Sequence, residues 1–223
     1  MLTINMNDIQ IFVIIPMIYS GLSYWLMSFF WFMQDNYLAP YGRIEGGEKI
    51  DWNLYKKTSK HVLCLHSFTP IILFLMIPIW KYINIDTTSN TLFTLLTFIK
   101  FLLCPFISDF IFYYSHKLIH NKYYYKHIHK VHHEWTIPCG VAASYSSCIE
   151  YIFCNLPTFL LPPMILKLNW IAANLWFIVS TINVVNNHSG YIFLESSIHH
   201  TNHHRYKINN YGTYLTYNLT KII

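Results

Sequence analysis

Charge is what this sequence has least of. Lys, Arg, Asp and Glu make up 11% of its 223 residues, against roughly 25% in an average soluble domain. With less than half the usual means of staying in water, the chain is excluded as an ordinary soluble enzyme. Intrinsic disorder is excluded by the same shortage, because disordered segments combine high charge with low hydrophobicity. Paired cysteine is also missing. Cys64, Cys104, Cys139, Cys148 and Cys154 are odd in number and form no CxxC, which argues against a disulfide framework or a thiolate zinc site. The 7 glycines build no phosphate-cradling loop, and neither Gly-x-Ser-x-Gly nor a Ser/His/Asp order is present to suggest a hydrolase. The net charge is +5, yet the basic residues are scattered between apolar runs, so nucleic acid is excluded as a partner. Linkers, low-complexity tracts and long internal repeats are absent as well, and one domain is the default at this length.

What is present is apolar. Hydrophobic residues make up 54% of the chain. Between Asp8 and Asp35 lie 26 uncharged residues, and a bilayer core needs about 20 as helix. Without a basic n-region or a small-residue cleavage site, Ile9 to Met33 reads as an uncleaved transmembrane helix. A second span runs from His61 to Trp80, kinked by Pro70 and Pro78. A third runs from about Thr91 to Ser115, interrupted by Lys100 and Asp109. Tyr151 to Leu166, broken by Pro162-Pro163, and Leu168 to Val185 form either a full or a re-entrant hairpin. The expected fold is an all-α integral membrane protein. It has four to five transmembrane or re-entrant helices and a histidine-rich helical cap, with residues 1–90 as a two-helix anchor and 91–223 as the functional domain. The positive-inside rule orients it. A cytosolic Asp35–Lys60 loop puts Arg43, Lys49, Lys56, Lys57, Lys60, Lys117, Lys122, Lys126, Lys130, Arg205, Lys207 and Lys221 inside, 12 of the 15 basic residues, together with every histidine cluster.

Histidine is the second anomaly: 13 of them against 10 acids. They gather in three groups, His116-x-x-x-His120, His129-x-x-His132-His133 and His200-x-x-His203-His204 (preceded by His199), with His188 alone after the fifth span. Helix positions i, i+3 and i+4 share one face, about 5–6 Å apart, so each group can aim two or three imidazoles at one metal. A frequency of 13 in 223 gives about 0.04 chance copies of HxxHH, and two copies have odds of about one in a thousand. Nine candidate ligands exceed the needs of one four-coordinate zinc, and two metals sharing the set is the simplest arithmetic. Imidazole suits zinc, copper, iron and nickel alike, so spacing leaves the metal open.

The other polar residues divide less sharply. His61, His66 and His127 read as interfacial anchors, and Tyr123-Tyr124-Tyr125 as an aromatic belt. Trp25, Phe29, Phe30 and Trp31 read as lipid-facing or packing residues. Asp109 is an acid inside a span, seven residues before His116 on the same helix face, and either orients a ligand imidazole or snorkels to the interface. Glu134 and Glu150 could orient ligands, but solvated loop carboxylates are the simpler reading.

These residues resemble the fatty acid hydroxylase / sterol desaturase superfamily. Asp109, His116-x-x-x-His120, Tyr125-Lys126-x-x-His129-Lys130-x-His132-His133-Glu134 and His188-Ser189-Gly190-Tyr191 carry the likeness, which covers roughly residues 105–216. The closing His199-His200-Thr201-x-His203-His204 and Asn210-Tyr211-Gly212-x-Tyr214-x-Thr216 look most like sterol C-5 desaturases. His-Ser-Gly-Tyr and His-Lys-Val-His-His-Glu look more like C-4 methylsterol oxidases and sterol 25-hydroxylases. The resemblance implies a fatty acid hydroxylase-like domain over 91–223 that hydroxylates or desaturates a lipid, most simply a sterol, at the cytosolic face of the endoplasmic reticulum. It implies two iron ions (zinc in a purified or inactive form), molecular oxygen as co-substrate, and electrons from NAD(P)H through cytochrome b5 or its reductase. It carries over the ligand set His116, His120, His129, His132, His133, His188, His200, His203 and His204, with Asp109 and Glu134 behind them.

Two departures stand out. Only 11 residues separate His188 from His200, fewer than family members usually have, which would shift His188 or narrow the substrate entrance. Asn218 and Leu219 also replace the family's Trp-Asp. They motivate the alternatives of a non-catalytic protein with a structural metal site, or a fatty acyl or sphingolipid hydroxylase.

Overall fold

The computed structural model describes residues 4–37, 42–44, 50–87, 94–207, 210–213 and 216. No strand occurs among them; six principal helices carry the fold. Helix α1 (Met6–Tyr37) starts at Asn5, whose side chain accepts from the Asp8 amide while Asp8 accepts from the Asn5 amide, both at 2.9 Å. This reciprocal cap satisfies two of the amides that a helix start leaves unpaired. A π-helical turn at Gln10–Ile14 immediately precedes Pro16, where a regular helix would drive the proline ring into the carbonyl four residues back. Helix α2 (Trp52–Tyr82) is capped by Asp51, whose carboxylate accepts from Asn53 and Leu54 amides at 2.9 and 3.0 Å. Thr94, Ser147 and Asn169 cap α3 (Leu95–Ile119), α4 (Cys148–Ile165) and α5 (Trp170–Asn187) in the same way. Helix α6 (Glu195–Tyr206) ends at Lys207 in the left-handed region, φ 57°.

Helices α1 to α4 are each long and apolar enough to cross a membrane. The spans read from composition correspond to them, with α2 starting nine residues ahead of His61 as a polar extension carrying Lys56, Lys57 and Lys60. Residues 91–93 of the third expected span and the expected boundary at 90/91 lie outside the described residues. The fifth span is α5, packed along α1 with one side buried and Leu175 and Val179 exposed on the other. Its asparagines at 174, 183, 186 and 187 lower its apolar content, and Asn174 and Asn187 are buried.

Pro162 and Pro163 do not break the fourth span as expected; α4 continues through Ile165. A proline cannot bond the carbonyl four residues back, which for Pro163 is that of Phe159. The Trp176 indole Nε1 on α5 donates to that oxygen at 2.9 Å, so the neighbouring helix supplies the missing partner. Helix α3 presents Leu95, Leu96, Phe98, Ile99, Leu102, Leu103, Phe106 and Phe110 outward, which only an apolar solvent accommodates comfortably.

Two cores fill the interior. The deeper one joins Phe12, Leu73, Ile77, Trp80, Leu160, Trp176 and Phe177. The other lies under the histidine end and joins Tyr24, Trp31, Val62, Trp135, Tyr145, Val185 and Tyr191. Trp31 is thus a packing residue, stacked on Tyr191 at 4.8 Å and donating to Asn186 Oδ1 at 3.0 Å, whereas Phe29 and Phe30 are exposed. Helices α1 and α2 therefore pack directly against the segment that bears the histidines.

Candidate metal centre

All nine histidines singled out by their spacing come together at one end of the helices. They form two groups rather than three. His116, His120, His129, His133 and His203 are the first, and His132, His188, His200 and His204 the second; within each, the ligand atoms lie within 4.8 Å of one another. In the first, the Nε2 of His129 lies 3.1 Å from that of His116 and 3.0 Å from that of His133, and His120 lies 3.0 Å from His203. In the second, the Nε2 of His188 lies 3.4 Å from that of His132 and 2.8 Å from that of His200, which is 3.1 Å from His204.

The partition corrects the expectation that an HxxHH box aims all its rings at one metal. Successive helical residues turn by about 100°. In α6, residue i+4 therefore lies about 40° to one side of i, and i+3 about 60° to the other; the second box reaches the same division without a regular helix, across the end of a π-helical turn at His129 and a 3-10 turn at His132–Glu134. The pairs four apart (116 and 120, 129 and 133, 200 and 204) each serve a single group. The residue at i+3 crosses over: His132 joins the second group and His203 the first. Each HxxHH box thus bridges both groups, whereas His116 and His120 serve the first alone.

The outer ring nitrogens fix the tautomers. Nδ1 of His116 meets the Tyr211 carbonyl at 2.8 Å, that of His132 the Tyr145 carbonyl at 3.0 Å, that of His188 the Val184 carbonyl at 2.8 Å and that of His204 the Trp135 carbonyl at 2.8 Å. A carbonyl only accepts, so in each ring Nδ1 carries the proton and Nε2 turns a bare lone pair inward. Burial, with the neighbouring rings adding to it, holds these groups in the neutral form. His132 is pushed down to about 4 and His188 to about 3, and His129, His200 and His204 fall well below the ordinary imidazole value. His132 and His188, with Nε2 atoms 3.4 Å apart, thus face each other with bare lone pairs, an arrangement that fits a cation between them. The donor set therefore suits two imidazole-bound metals.

The acids stand differently from expectation. Glu150, read as a solvated loop carboxylate, is 2% exposed, with Oε1 2.9 Å from Nδ1 of His129. It is the acid in direct contact with a clustered ring, and its sequence signal was the same as that of Asp109: a lone acid beside an apolar run. Glu134 acts one step further out. It accepts from Lys57 Nζ at 2.6 Å and from the Tyr145 hydroxyl at 2.8 Å, and Tyr145 lends its carbonyl to His132. Asp109 is buried rather than snorkelled to the interface. Its two oxygens accept from the amides and hydroxyls of Thr213 and Thr216 at 2.8–3.1 Å, which docks the segment whose Tyr211 carbonyl holds His116.

The short connection does not displace His188. Gly190 adopts φ +76°, and a Cβ there would meet the Pro138 carbonyl oxygen at 2.7 Å; its amide donates to Ser197 Oγ at 3.0 Å. A buried network of Arg43, Asp35 and Tyr191 secures the same turn, at 2.6 Å for Arg43–Asp35 and 3.1 Å for Tyr191–Asp35. His199 lies outside both groups. Asn218 and Leu219 are outside the described residues.

A cavity of about 360 Å³ opens beneath the groups, lined by His116, His129, His132, His188 and His200 at one end and by Leu73, Phe159, Trp176 and Phe177 at the other. Trp25 and His66, read as a lipid-facing or packing ring and an interfacial anchor, both line it. His61 instead packs on Tyr145 at 5.1 Å, with Nε2 2.7 Å from the Ser146 carbonyl oxygen.

Apolar helices ending in a doubled cluster of inward-turned imidazoles define a histidine-box protein built for a membrane. The chain belongs to the fatty acid hydroxylase family, whose model matches residues 101–218. It is 33% identical over 179 residues to fatty acid hydroxylase domain-containing protein 2 of Macaca fascicularis, covering 77% of this chain and 53% of that protein. It is 33% identical over 118 residues to a very-long-chain aldehyde decarbonylase of Oryza sativa subsp. indica (48% of this chain, 44% of that protein). With a putative methylsterol monooxygenase of Dictyostelium discoideum it shares 26% over 209 residues (89% and 75%). The chain thus spans about half the length of the first two. No solved structure matches it.

Proposed function

We propose that this chain is a membrane-bound oxidoreductase that uses molecular oxygen and two iron ions to hydroxylate or desaturate a lipid, with a sterol as substrate. The observation that carries the reading is the pair of inward-turned imidazole groups at the head of an apolar cavity. His116, His120, His129, His133 and His203 would hold one metal, and His132, His188, His200 and His204 the other. Bound iron supplies the oxidising chemistry for an unactivated C–H bond. The chain's own residues do the rest. Backbone carbonyls of Tyr145, Val184, Trp135 and Tyr211 keep each ring aimed, Glu150 braces His129, and the apolar walls hold the lipid and exclude water. The substrate class draws support from relatives named as methylsterol monooxygenases.

Residues 91–223 serve as the catalytic domain and 1–90 as its membrane anchor. Lys57, Lys117 and Arg205 lie on elements at the histidine end, which supports a cytosolic face. The membrane is that of the endoplasmic reticulum, and electrons arrive from NAD(P)H through cytochrome b5 or its reductase. Metal analysis of the purified chain and lipid profiling of cells with and without it test the reading. Two irons per chain, a shifted sterol profile and loss of both effects in His132→Ala are expected. One zinc with an unchanged profile would overturn it in favour of a structural metal site, and a shift in fatty acyl lipids or sphingolipids alone would replace the sterol.

A further inference from the structure

Between the histidines and the apolar depth, the cavity carries a small polar group whose use is unassigned. His66 and Thr69 on α2 and Tyr151 on α4 all line it. The Thr69 hydroxyl and the Tyr151 hydroxyl lie 2.8 Å apart. The His66 ring is 6.1 Å from the Tyr151 ring and sits edge-on to Tyr24 at 4.7 Å. Tyr24 cannot satisfy it, because its hydroxyl already donates to the Val141 carbonyl at 2.9 Å and accepts from the Ser144 amide at 3.1 Å. Neither ring nitrogen of His66 has a hydrogen-bond partner among the described residues. Thr69 Oγ1 also donates to the Leu65 carbonyl at 3.4 Å, so with Tyr151 donating to Thr69 the pair offers a ligand oxygen lone pairs, and the donor to the ligand comes from His66. A neutral imidazole adds one donor and one acceptor.

The position and the surroundings select the ligand. His61, outside the cavity lining, touches Ser146 and Tyr145, and the Tyr145 carbonyl meets His132. His66 follows five residues later, about 7.5 Å deeper at about 1.5 Å per residue, and Leu73 lies about 10 Å deeper again. Among the described residues no Lys or Arg lines the cavity, and the one carboxylate that does is Glu150. An anionic headgroup held at His66 would meet no cationic side chain there and would lie in low dielectric near Glu150, at high cost. A hydroxyl both donates and accepts, as the three side chains do.

We infer that His66, Thr69 and Tyr151 form the docking site for an uncharged hydroxyl on the lipid, and that this site admits neutral lipid alcohols and rejects carboxylates and phosphates. The inference rests on the lipid-oxidation reading of the cavity. It places the lipid's hydroxyl end toward the histidines and its tail toward Leu73, Phe159 and Trp176.

Equilibrium binding to the purified full chain tests it without turnover. The probes are a fluorescent sterol and its 3-deoxy analogue, with hexadecanol, hexadecane and hexadecanoate as competitors. One hydrogen-bonded hydroxyl predicts about tenfold tighter binding of the sterol than of its deoxy analogue, with hexadecanol ahead of both other chains. His66→Phe, which keeps the ring packing, and the double variant Thr69→Val with Tyr151→Phe should each abolish the preference while leaving hexadecane binding unchanged. Retained hexadecane binding also reports that a variant is folded, and if one of the two fails to fold the other carries the test. A preference that survives both substitutions, or hexadecanoate binding as well as hexadecanol, overturns the inference. Sterol bound equally with and without its hydroxyl sinks the docking site but leaves the sterol reading intact. Hexadecanol preferred with no sterol bound does the reverse.

Discussion

Replacing Asp109 by Asn isolates the link between the C-terminal segment and the first histidine group. The carboxylate is 2% exposed and accepts from Thr213 N at 2.8 Å, Thr213 Oγ1 at 3.1 Å, and Thr216 N and Oγ1 both at 2.9 Å. Asn keeps the shape and one acceptor oxygen. Its NH2 replaces the other, so the Thr216 amide meets a donor, and the hydroxyl can recover only by turning to accept. One charge-assisted bond is lost outright and the others weaken. Hydrogen bonds to charged groups are each worth about 1.5–3 kcal/mol, so the segment should loosen by about 3 kcal/mol, a factor of about 150 in its docked population. Hydrogen exchange on the purified protein should show the Thr213 and Thr216 amides losing protection by about that factor, with little change in the capped start of α5. His116 then loses the Tyr211 carbonyl that fixes its ring. Metal in the five-histidine group should fall in affinity by about 10–100-fold, read as chelator-released metal per chain, while the other group keeps its own. Unchanged protection at both threonines, or equal loss from the two groups, would refute this chain of cause.

Other substitutions probe separate parts of the same frame. His204→Ala leaves three rings in the four-histidine group and should release metal to a chelator more readily than His133→Ala, which leaves four; the reverse order would contradict the partition. Gly190→Ala adds a Cβ 2.7 Å from the Pro138 carbonyl oxygen at φ +76° and should cost about 1–3 kcal/mol, seen as a lower thermal midpoint in detergent. Arg43→Met strands the buried Asp35 carboxylate and should cost about 3–5 kcal/mol, with most of it recovered in the double variant Arg43→Met, Asp35→Leu; no recovery would place the effect elsewhere. Trp176→Phe leaves the Phe159 carbonyl without its donor and should destabilise by about 1–3 kcal/mol, unless α4 straightens.

The membrane helices were legible because a bilayer demands long uncharged runs, and Asp8, Asp35, Lys60 and Lys81 mark their edges. The histidines were legible because helical spacing survives in the sequence. Their division into two groups follows from the spacing in α6, where i+3 and i+4 turn to opposite sides, but not in the second box, whose π-helical and 3-10 turns at 125–134 carry no such signal. The orienting groups were mostly out of reach for a different reason. Four of them are backbone carbonyls, of Tyr145, Val184, Trp135 and Tyr211, and a carbonyl is carried by every residue, so no residue type announces it. Glu150 was visible as a letter but not as a buried one. What buries it is the fold of α4 against the second box, with Oε1 brought to 2.9 Å from His129.

The carbonyl shell also explains why the short connection after His188 is tolerated. His188 is aimed from within its own helix, since Nδ1 meets the carbonyl of Val184 one turn back at 2.8 Å, and the loop that follows contributes nothing to its direction. The loop has one task, to bring α6 back so that His200 arrives 2.8 Å from His188. Gly190 makes the reversal in a single left-handed residue, and Ser197 Oγ receives its amide at the first turn of α6. A longer connection could reach the same end point with fewer constraints. The shorter one concentrates them on Gly190, Ser197 and the Asp35–Arg43–Tyr191 network, so substitutions there should disturb the four-histidine group before the five-histidine one, whose rings other than His203 all arrive from α3 and the second box.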